Sequence, residues 1–536
     1  MDDKKAPSPL SDEIYFLWVA GALVGMKVLD RGDKWFRLWM NVTNNQMLLA
    51  GAFGTVAAGL SAWAATKRKA AVEKKRRELA VIGPGRDAVY SGKTDEGEDV
   101  FIKPHQRAMH TQVIGTTNAG KTESVILPWA IQDIEQGRGL ILIDGKADRS
   151  LLEKLWAYTA QAGREKDFRL FSLSHIPASQ SFNPLIGGTS EEVSERVFNS
   201  FEFENPHYRS LQFEVFSQVM RIFEGAGEVP TFLRIHQAIS NPHALVALAR
   251  GVEDASLKQW AEYFRDLPGN ERVQRTSGLT AALSHFAFGG TAGLFNAEAP
   301  GITLEDALEN NRIVYFQLPV LLSPFLGKAS GKMILQCLQS AVANRHRAAS
   351  RSPKFFSVFL DDFSEYLYPG FVSILNKSRS ANVGVVFAHQ ALGDIQTLGD
   401  AIANSILTNA NLKVFMRGND PDSAEYFSKV IGTDKAMKST ERHRRSLWQD
   451  EATGDTSVRE VEEFIVHPNR FKRELGVGEA IMILPHEAGS RTLQIKFRKY
   501  DDLVAPPLPV VSKTATRGLK TLEAKIEKTQ TKKEAA

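Results

Sequence analysis

Apolar residues form two long stretches near the amino terminus. Residues 47–66 carry no charged side chain over twenty positions, and a helix of that length crosses the hydrocarbon core of a bilayer. Residues 14–29 form a second stretch if Lys27 extends its ammonium group to the membrane surface. The pattern predicts a membrane anchor of residues 1–78 with two transmembrane helices. The alternative is a buried hydrophobic hairpin in a soluble domain.

Basic residues lie on one side of the second stretch. Seven lysines and arginines fall within residues 67–77, and such an excess marks the cytoplasmic side of a span. We therefore expect both termini in the cytoplasm. A cleaved signal peptide is not expected, because acidic residues precede the first stretch and no small-residue cleavage site follows it.

Short apolar runs alternate with helical periodicity after residue 79. The runs predict strands at residues 112–114, 140–144, 168–171, 313–318, 355–360, 383–388 and 412–415. Alternating apolar and polar residues predict a hairpin within 87–103 and a closing hairpin of 479–484 and 492–497. Strands that alternate with helices indicate an α/β fold, with a parallel sheet covered on both faces.

One long segment between these strands has only helical patterns. Thr189 and Glu192 have the spacing of a capping box, and apolar side chains follow at helical intervals from Val193. The pattern predicts an all-α domain of residues 188–296. This domain is inserted into the α/β domain.

The predicted α/β domain therefore consists of residues 79–187 and 297–500. Residues 501–536 are rich in proline and then in lysine, threonine and glutamate. That composition is typical of a disordered tail.

A phosphate-binding loop connects the first predicted parallel strand to the next helix. The loop consists of Gly115, Thr116, Thr117, Asn118, Ala119, Gly120, Lys121 and Thr122, and it matches G-x-x-x-x-G-K-[ST]. In this motif the backbone N–H groups surround phosphate oxygens, the lysine reaches the β- and γ-phosphates, and the final hydroxyl binds Mg²⁺. The sequence thus predicts a P-loop, RecA-like domain that binds ATP and Mg²⁺.

Acidic and polar residues follow two later strands. The Mg²⁺ carboxylate is expected on a strand next to the one that enters the phosphate-binding loop, and we assign Asp361 to it. We assign Asp362 to activation of the attacking water, with Glu365 as the second candidate for that role. Gln390 follows another strand, and we expect it to contact the γ-phosphate. The alternative for the acidic residues is an ordinary cap on the next helix.

Composition adds two limits. The net charge of +4 over 536 residues permits an anionic partner without requiring one. Cys337 is the single cysteine, which excludes a disulfide within the chain and a cysteine-based zinc site.

These motifs, in this order, resemble the type IV secretion coupling proteins of the TraG/TraD type, the hexameric ATPases of bacterial conjugation. The matching pieces are the two spans, the phosphate-binding loop, Asp144-Gly145-Lys146-Ala147-Asp148, Ser181-Phe182-Asn183-Pro184-Leu185, Leu360-Asp361-Asp362-Phe363, Ser378-Arg379, Gln390 and the segment from Arg417 to Phe427. The resemblance covers roughly residues 10–500.

The resemblance implies a homo-hexamer in the bacterial inner membrane. It implies a channel for single-stranded DNA, recruitment of the relaxase and its relaxosome, and contact with the type IV secretion channel proteins. Arg379 has the position of an arginine supplied to the neighbouring subunit, and Arg417 is a second candidate. For either arginine, the alternative is an ordinary salt bridge.

The chain departs from the family pattern at two places. Asn118 and Ala119 stand where relatives usually have Gly-Ser, but asparagine tolerates left-handed backbone geometry. Asp362 stands where many relatives carry glutamate, so its carboxylate reaches one methylene less far.

Two other functions fit parts of the pattern. One is a septal DNA translocase of the FtsK type, although the chain shows neither its long linker nor its winged-helix DNA reader. The other is a membrane receptor that recruits protein substrates and uses nucleotide only to control assembly. The effect of single-stranded DNA on ATP hydrolysis distinguishes a motor from such a receptor.

Overall fold

The structure, a computed structural model, describes residues 59–69, 82–203, 205–347, 353–445, 450–486 and 489–511. Side chains are described for all of these except residues 437–459. The chain divides into two compact units, Met1–Leu79 and Ala80–Ala536.

The described part of the first unit is a helix over residues 59–69. The Lys67 ammonium group lies 4.8 Å from the centre of the Trp63 ring. Across the described residues, no helix is both long and apolar enough to cross a membrane. The predicted span 14–29 and residues 47–58 of the second span lie outside the described part of the chain.

Thirteen strands are present in the described part of the second unit. They are β1 (Val89–Thr94), β2 (Asp99–Ile102), β3 (Thr111–Ile114), β4 (Leu140–Asp144), β5 (Phe168–Ser172), β6 (Ile313–Gln317), β7 (Phe356–Asp361), β8 (Val383–His389), β9 (Leu412–Met416), β10 (Thr433–Arg445), β11 (Asp450–Phe464), β12 (Glu479–His486) and β13 (Gly489–Phe497). All the strands expected from the sequence are among them. The ribbon of β10 and β11 was not predicted.

Eleven strands form one sheet, in the order β2-β1-β13-β12-β9-β3-β8-β7-β4-β6-β5. The seven strands from β9 to β5 are parallel, and the other four extend the sheet as antiparallel strands. Strands β4 and β8 are buried at every position, which explains why they are continuous apolar runs in the sequence. The mixed sheet, mainly parallel, confirms the α/β part of the predicted fold class.

Helices connect and cover the strands. They are Pro104–Arg107, Leu127–Glu135, Arg149–Gln161, Leu304–Glu309, Pro324–Arg347, Phe371–Ser378, Leu392–Gln396, Asp400–Asn409, Pro421–Ile431 and Pro468–Arg473. Each face of the sheet has its own hydrophobic core: Ile141 and Ile143 of β4 belong to one, and Leu140 and Leu142 to the other.

Besides Leu304–Glu309, the connection from β5 to β6 contains seven α-helices. They are Ser190–Phe198, Pro206–Gly225, Phe232–Ser240, Pro242–Ala249, Ala255–Asp266, Gly269–Ala287 and Ala292–Phe295. The first begins at the predicted cap, where the Thr189 hydroxyl accepts the Glu192 N–H. These helices share a hydrophobic core with one face of the sheet, so a separate domain of residues 188–296 stays a prediction.

The ribbon of β10 and β11 lies outside the main sheet. Its strands pair in antiparallel register from Thr433 with Phe464 to Arg445 with Asp450. Charged residues occupy many positions of both strands, and this obscures the alternation by which strands are found in a sequence.

Residues 501–511 lie against the helix Arg149–Gln161, which differs from the predicted start of a disordered tail at residue 501. The Trp156 indole donates to the Pro506 carbonyl at 2.8 Å, and the Tyr158 hydroxyl donates to the Asp501 carbonyl at 2.9 Å. Leu503 and Leu508 pack against the core. The prolines hold this segment extended, and its apolar side chains hold it to the surface. The rest of the predicted tail lies outside the described residues.

Candidate nucleotide-binding site

The phosphate-binding loop leaves β3 at the edge of the sheet where the parallel strands end. Gly120 has φ of +99°, which an L side chain rarely adopts, and Asn118 has φ of +65°. The asparagine that replaces the usual glycine therefore adopts the left-handed geometry expected from the sequence. A wide π-helical turn, Thr122–Ile126, follows and leads into the helix Leu127–Glu135.

Neighbouring segments approach the loop too closely for side chains at its glycines. A Cβ at Gly115 would lie 2.9 Å from the Cβ of Met416, and a Cβ at Gly120 would lie 2.9 Å from the Ser124 hydroxyl. The Gly478 N–H donates to the Ala119 carbonyl at 3.0 Å. These contacts hold the loop in a single backbone shape.

Lys121 lies along the inside of the loop. Its ammonium group donates to the Gly115 carbonyl at 2.7 Å and to the Thr116 carbonyl at 3.2 Å. Burial lowers the pKa of Lys121, while the charges of Asp361 and Asp362 act to raise it. The cation therefore faces the same space as the loop and the two carboxylates.

Thr122 and Asp361 meet although 239 positions separate them. The Thr122 hydroxyl donates to Asp361 Oδ2 at 2.7 Å. Burial and then the neighbouring charge of Asp362 raise the pKa of Asp361 to about 7, and the Thr122 hydrogen bond acts to lower it. A hydroxyl and a carboxylate are hard oxygen ligands of the kind that Mg²⁺ prefers.

Strand β8 lies between the loop strand β3 and the strand β7 that carries both acidic residues. The sequence interpretation placed the Mg²⁺ carboxylate on a strand neighbouring β3, and the structure corrects this by one strand. The correction leaves the chemistry in place, because the ends of parallel strands lie along one edge. It also means that β8, the strand next to β3, is the one that brings a polar residue, Gln390, to the phosphate-binding loop.

Gln390 is at the loop, as expected. Its Oε1 accepts the Thr117 hydroxyl at 3.3 Å, and its N–H donates to Asp394 Oδ2 at 2.7 Å. His389 is buried instead: its Nδ1 lies 2.8 Å from the Ala391 carbonyl and its Nε2 lies 3.0 Å from Gln112 Nε2. The amide of Gln390 is thus the polar group that β8 presents to the loop.

Asp362 is buried at the end of β7, with φ of +47° and ψ of +47°. Lys146 Nζ lies 2.8 Å from its Oδ1 and 2.7 Å from its Oδ2. Glu365, the second candidate for water activation, is exposed and lies 3.8 Å from Lys328 Nζ. Of these two carboxylates, only Asp362 adjoins Asp361 directly.

The two candidate arginines lie at opposite ends of the parallel strands: Arg417 follows the carboxyl end of β9, and Arg379 precedes the amino end of β8. The carbonyl of Arg417 accepts the Thr116 N–H at 2.9 Å, so Arg417 adjoins the loop of its own chain. Arg379 is exposed at the end of the helix Phe371–Ser378, before β8 begins, and its charge acts on His110 at the start of β3. Arg379 therefore lies at the edge opposite to its own loop.

The sequence interpretation missed a buried polar row that crosses three strands behind the loop. Lys413 of β9 donates to Gln112 Oε1 of β3 at 3.3 Å, and Gln112 Nε2 lies beside His389 of β8. Burial lowers the pKa of Lys413 to about 8. The signal available in the sequence was a polar residue within each otherwise apolar strand segment.

The residues fit a nucleoside triphosphate with Mg²⁺. The loop has the backbone curvature that its glycines and Asn118 permit, Lys121 supplies a cation, and Thr122 with Asp361 supplies oxygen ligands. Lys121, Thr122 and Asp361 would hold the phosphates and the metal. The metal would neutralise charge on the phosphate oxygens.

Comparison with known proteins agrees with the motifs. The family model of the TraM recognition site of TraD and TraG matches residues 356–473. The type 4 coupling protein DotL of Legionella pneumophila is 22% identical over 397 residues, 63% of this chain and 51% of DotL. These matches confirm the resemblance to the type IV secretion coupling proteins that the motifs predicted. The chain spans about half the length of this relative.

Solved structures of a coupling protein share the fold. The bacterial conjugative coupling protein TrwB in its unbound form has a TM-score of 0.57 at 13% identity, over 77% of this chain and 90% of that chain. TrwB in complex with ADP and Mg²⁺ has a TM-score of 0.56 at 14% identity, over 77% and 90% of the two chains. At this low sequence identity, the comparison shows that the two proteins share a fold, and it shows nothing further about function.

Proposed function

We propose that this coupling protein is a membrane-anchored hexameric ATPase, which recruits a relaxase–DNA complex and drives single-stranded DNA into a type IV secretion channel. The main observation in support of ATP hydrolysis is the hydrogen bond between Thr122 and Asp361, beside Lys121. It brings the hydroxyl and the carboxylate expected to bind Mg²⁺ to the same end of the phosphate-binding loop.

In the proposed reaction each residue has a separate task. Lys121 binds the β- and γ-phosphates, and Gln390 contacts the γ-phosphate through its amide. Asp362 accepts the proton of the water that attacks the γ-phosphorus. Most of the rate acceleration comes from positioning and electrostatic stabilisation, since phosphoryl transfer needs little covalent participation by the protein.

Assembly into a hexamer would complete the site. Arg379 lies at the edge opposite to its own loop, so it is better placed to serve a neighbouring subunit than its own. TrwB with bound ADP and Mg²⁺ has the same fold, which supports nucleotide use by this chain as well. The predicted spans would hold the subunits in the bacterial inner membrane, with both termini in the cytoplasm.

Partner recognition belongs to this proposal too. Residues 356–473 match the model described as a TraM recognition site, and this range includes the ribbon of β10 and β11. We assign contact with a relaxosome protein to this part of the chain. The type IV secretion channel proteins would be reached through the membrane anchor.

The test measures ATP hydrolysis by the full chain in detergent or lipid, with and without single-stranded DNA. We expect Mg²⁺-dependent hydrolysis that DNA stimulates, and no hydrolysis by Lys121→Ala. Lys121→Ala should also abolish DNA transfer between cells while leaving the protein folded in the membrane. Hydrolysis that single-stranded DNA does not stimulate would favour a receptor for protein substrates. Full DNA transfer by Lys121→Ala would contradict the assignment of the phosphate-binding loop.

A further inference from the structure

Lys146 reaches from the turn after β4 to the carboxylate that follows β7. Strands β4 and β7 are parallel neighbours, with Asp144 opposite Asp361. The Lys146 ammonium group lies 2.8 Å and 2.7 Å from the two oxygens of Asp362. The Lys146 side chain is 58% exposed and the Asp362 side chain is 6% exposed. A solvent-facing cation thus covers a buried carboxylate.

The backbone that carries Lys146 is held by a dedicated set of hydrogen bonds. The Asp144 carboxylate accepts the N–H groups of Lys146 at 2.9 Å, Ala147 at 3.1 Å and Asp148 at 2.6 Å. It also accepts the Tyr315 hydroxyl at 2.9 Å. Four donors to one buried carboxylate fix the turn and the direction in which Lys146 leaves it.

The backbone is left-handed at both ends of the ion pair, at Asp362 itself and at Ala147, the residue after Lys146, and neither of these is a glycine. Ala147 has φ of +59° and Asp362 has φ of +47°. Each such residue costs about 1 kcal/mol or more and persists only where the surroundings require it. Two such residues on facing strand ends indicate that the position of this ion pair matters more than local stability.

We propose that Lys146 is a positioning residue, which holds the Asp362 carboxylate in the orientation that accepts a proton from the attacking water. The inference rests on the proposed ATP hydrolysis. In that step a bond forms between the water oxygen and the γ-phosphorus, and the bond from this phosphorus to the β–γ bridging oxygen breaks. The water proton moves to Asp362, and the bridging oxygen keeps the bonding electrons.

The geometry also explains how the short side chain of Asp362 can serve where relatives use glutamate. A shorter carboxylate has fewer rotamers, and the ion pair with Lys146 selects one of them. The alternative is a salt bridge that only stabilises the strand ends. Loss of Lys146 would leave the buried Asp362 carboxylate unpaired and would lower stability under either role, so the two roles differ in whether kcat also falls.

The experiment compares Lys146→Met, which removes the charge and keeps the length, with Lys146→Arg, which keeps the charge. Both are made in the full chain. We expect Lys146→Met to lower kcat by about tenfold to a hundredfold, because small misplacements of catalytic groups have effects of that size. KM and the Kd for a fluorescent ATP analogue should change little, measured well below the melting temperature of the variant, which we expect to be lowered. Lys146→Arg should recover most of the lost kcat.

Lys328→Met is the matched control, since Lys328 pairs with the exposed Glu365 near the same strand end. It should leave kcat unchanged. In the background of Asp362→Asn, the Lys146→Met change should have no further effect, because both act through one group.

Unchanged kcat in Lys146→Met would overturn the proposal. A large rise in KM and Kd would also overturn it, because Lys146 would then bind the nucleotide directly. If the unmodified chain does not bind nucleotide, the proposed function itself is contradicted. If Asp362→Asn is fully active, the choice of Asp362 as the base is contradicted.

Discussion

The Thr122 hydroxyl donates to Asp361 Oδ2 at 2.7 Å, across the 239 positions that separate the two residues in the chain. Thr122 is the last residue of the phosphate-binding loop and begins the π-helical turn, and Asp361 is the last residue of β7. Strand β8 separates β7 from the loop strand, so only the aligned ends of parallel strands bring the pair together.

This relationship predicts a specific dependence on Mg²⁺. Thr122→Val keeps the shape of the side chain and removes the hydroxyl, so we expect hydrolysis to need a higher Mg²⁺ concentration. We expect the maximal rate to fall as well. Thr122→Ser keeps the hydroxyl and should behave like the unmodified chain. Titration of ATP hydrolysis with Mg²⁺ measures both effects, and identical curves for Thr122→Val and Thr122→Ser would remove Thr122 from the metal site.

Arg379→Ala should lower turnover strongly and leave nucleotide affinity nearly unchanged. An arginine supplied by a neighbouring subunit is worth roughly 10³–10⁵ in related phosphoryl transfer. Lys377→Ala is the control, because Lys377 is another exposed cation at the end of the same helix. Steady-state hydrolysis and a binding assay with a fluorescent nucleotide are the measurements.

Mixing Arg379→Ala subunits with Lys121→Ala subunits should restore part of the activity. One interface in such a hexamer would combine an intact loop with an intact Arg379. If no mixing ratio restores hydrolysis, Arg379 acts within its own subunit or has no role in the reaction.

The buried His110 predicts loss of stability in mild acid. Its Nε2 lies 2.7 Å from the Leu375 carbonyl and its Nδ1 accepts the Val385 N–H at 3.2 Å, which requires the neutral ring. Burial lowers its pKa to about 4, against the opposing effect of the Leu375 hydrogen bond and with further lowering by Arg379. Below pH 6.5 the unfolded chain therefore binds a proton that the folded chain does not bind until about pH 4.

The free energy of unfolding should thus decrease as the pH falls from 6.5 towards 4. From pH 7 to pH 5 the His110 contribution is about 2 kcal/mol. Chemical denaturation of the full chain in detergent at these two pH values measures it. The control is His110→Gln, whose amide both donates and accepts, and it should show a weaker pH dependence by that amount. Equal dependence in both proteins would mean that His110 is not buried in neutral form.

The segment 501–511 offers an adjacent pair of residues for a stability test. Leu503 packs against the core, whereas Val504 is 98% exposed. Leu503→Ser should lower the free energy of unfolding by about 1 kcal/mol, since half-burying an aliphatic side chain contributes about that much. Val504→Ser should have no measurable effect. Equal effects of the two substitutions would show that the segment does not rest on the helix Arg149–Gln161.

Much of the fold was predictable because its signals are local. The strands of the parallel sheet are mainly apolar segments of four to seven residues, and burial on both faces favours that pattern. The loop from Gly115 to Thr122 was recognisable because phosphate chemistry constrains residue type at fixed spacing. Asn118 has a left-handed φ, and the sequence indicated that the loop could keep its shape because asparagine tolerates that geometry.

Other features depend on which strands become neighbours, and adjacent residues do not encode that choice. The sequence determined the identity of the loop, the existence of the strands of the main sheet and the likeness to coupling proteins. Only the tertiary structure decided that β8 separates the loop from Asp361, that Lys146 meets Asp362, and that Lys413, Gln112 and His389 form one row. Contacts of this kind join residues far apart in the chain, and the register and order of strands emerge from packing the whole sheet at once.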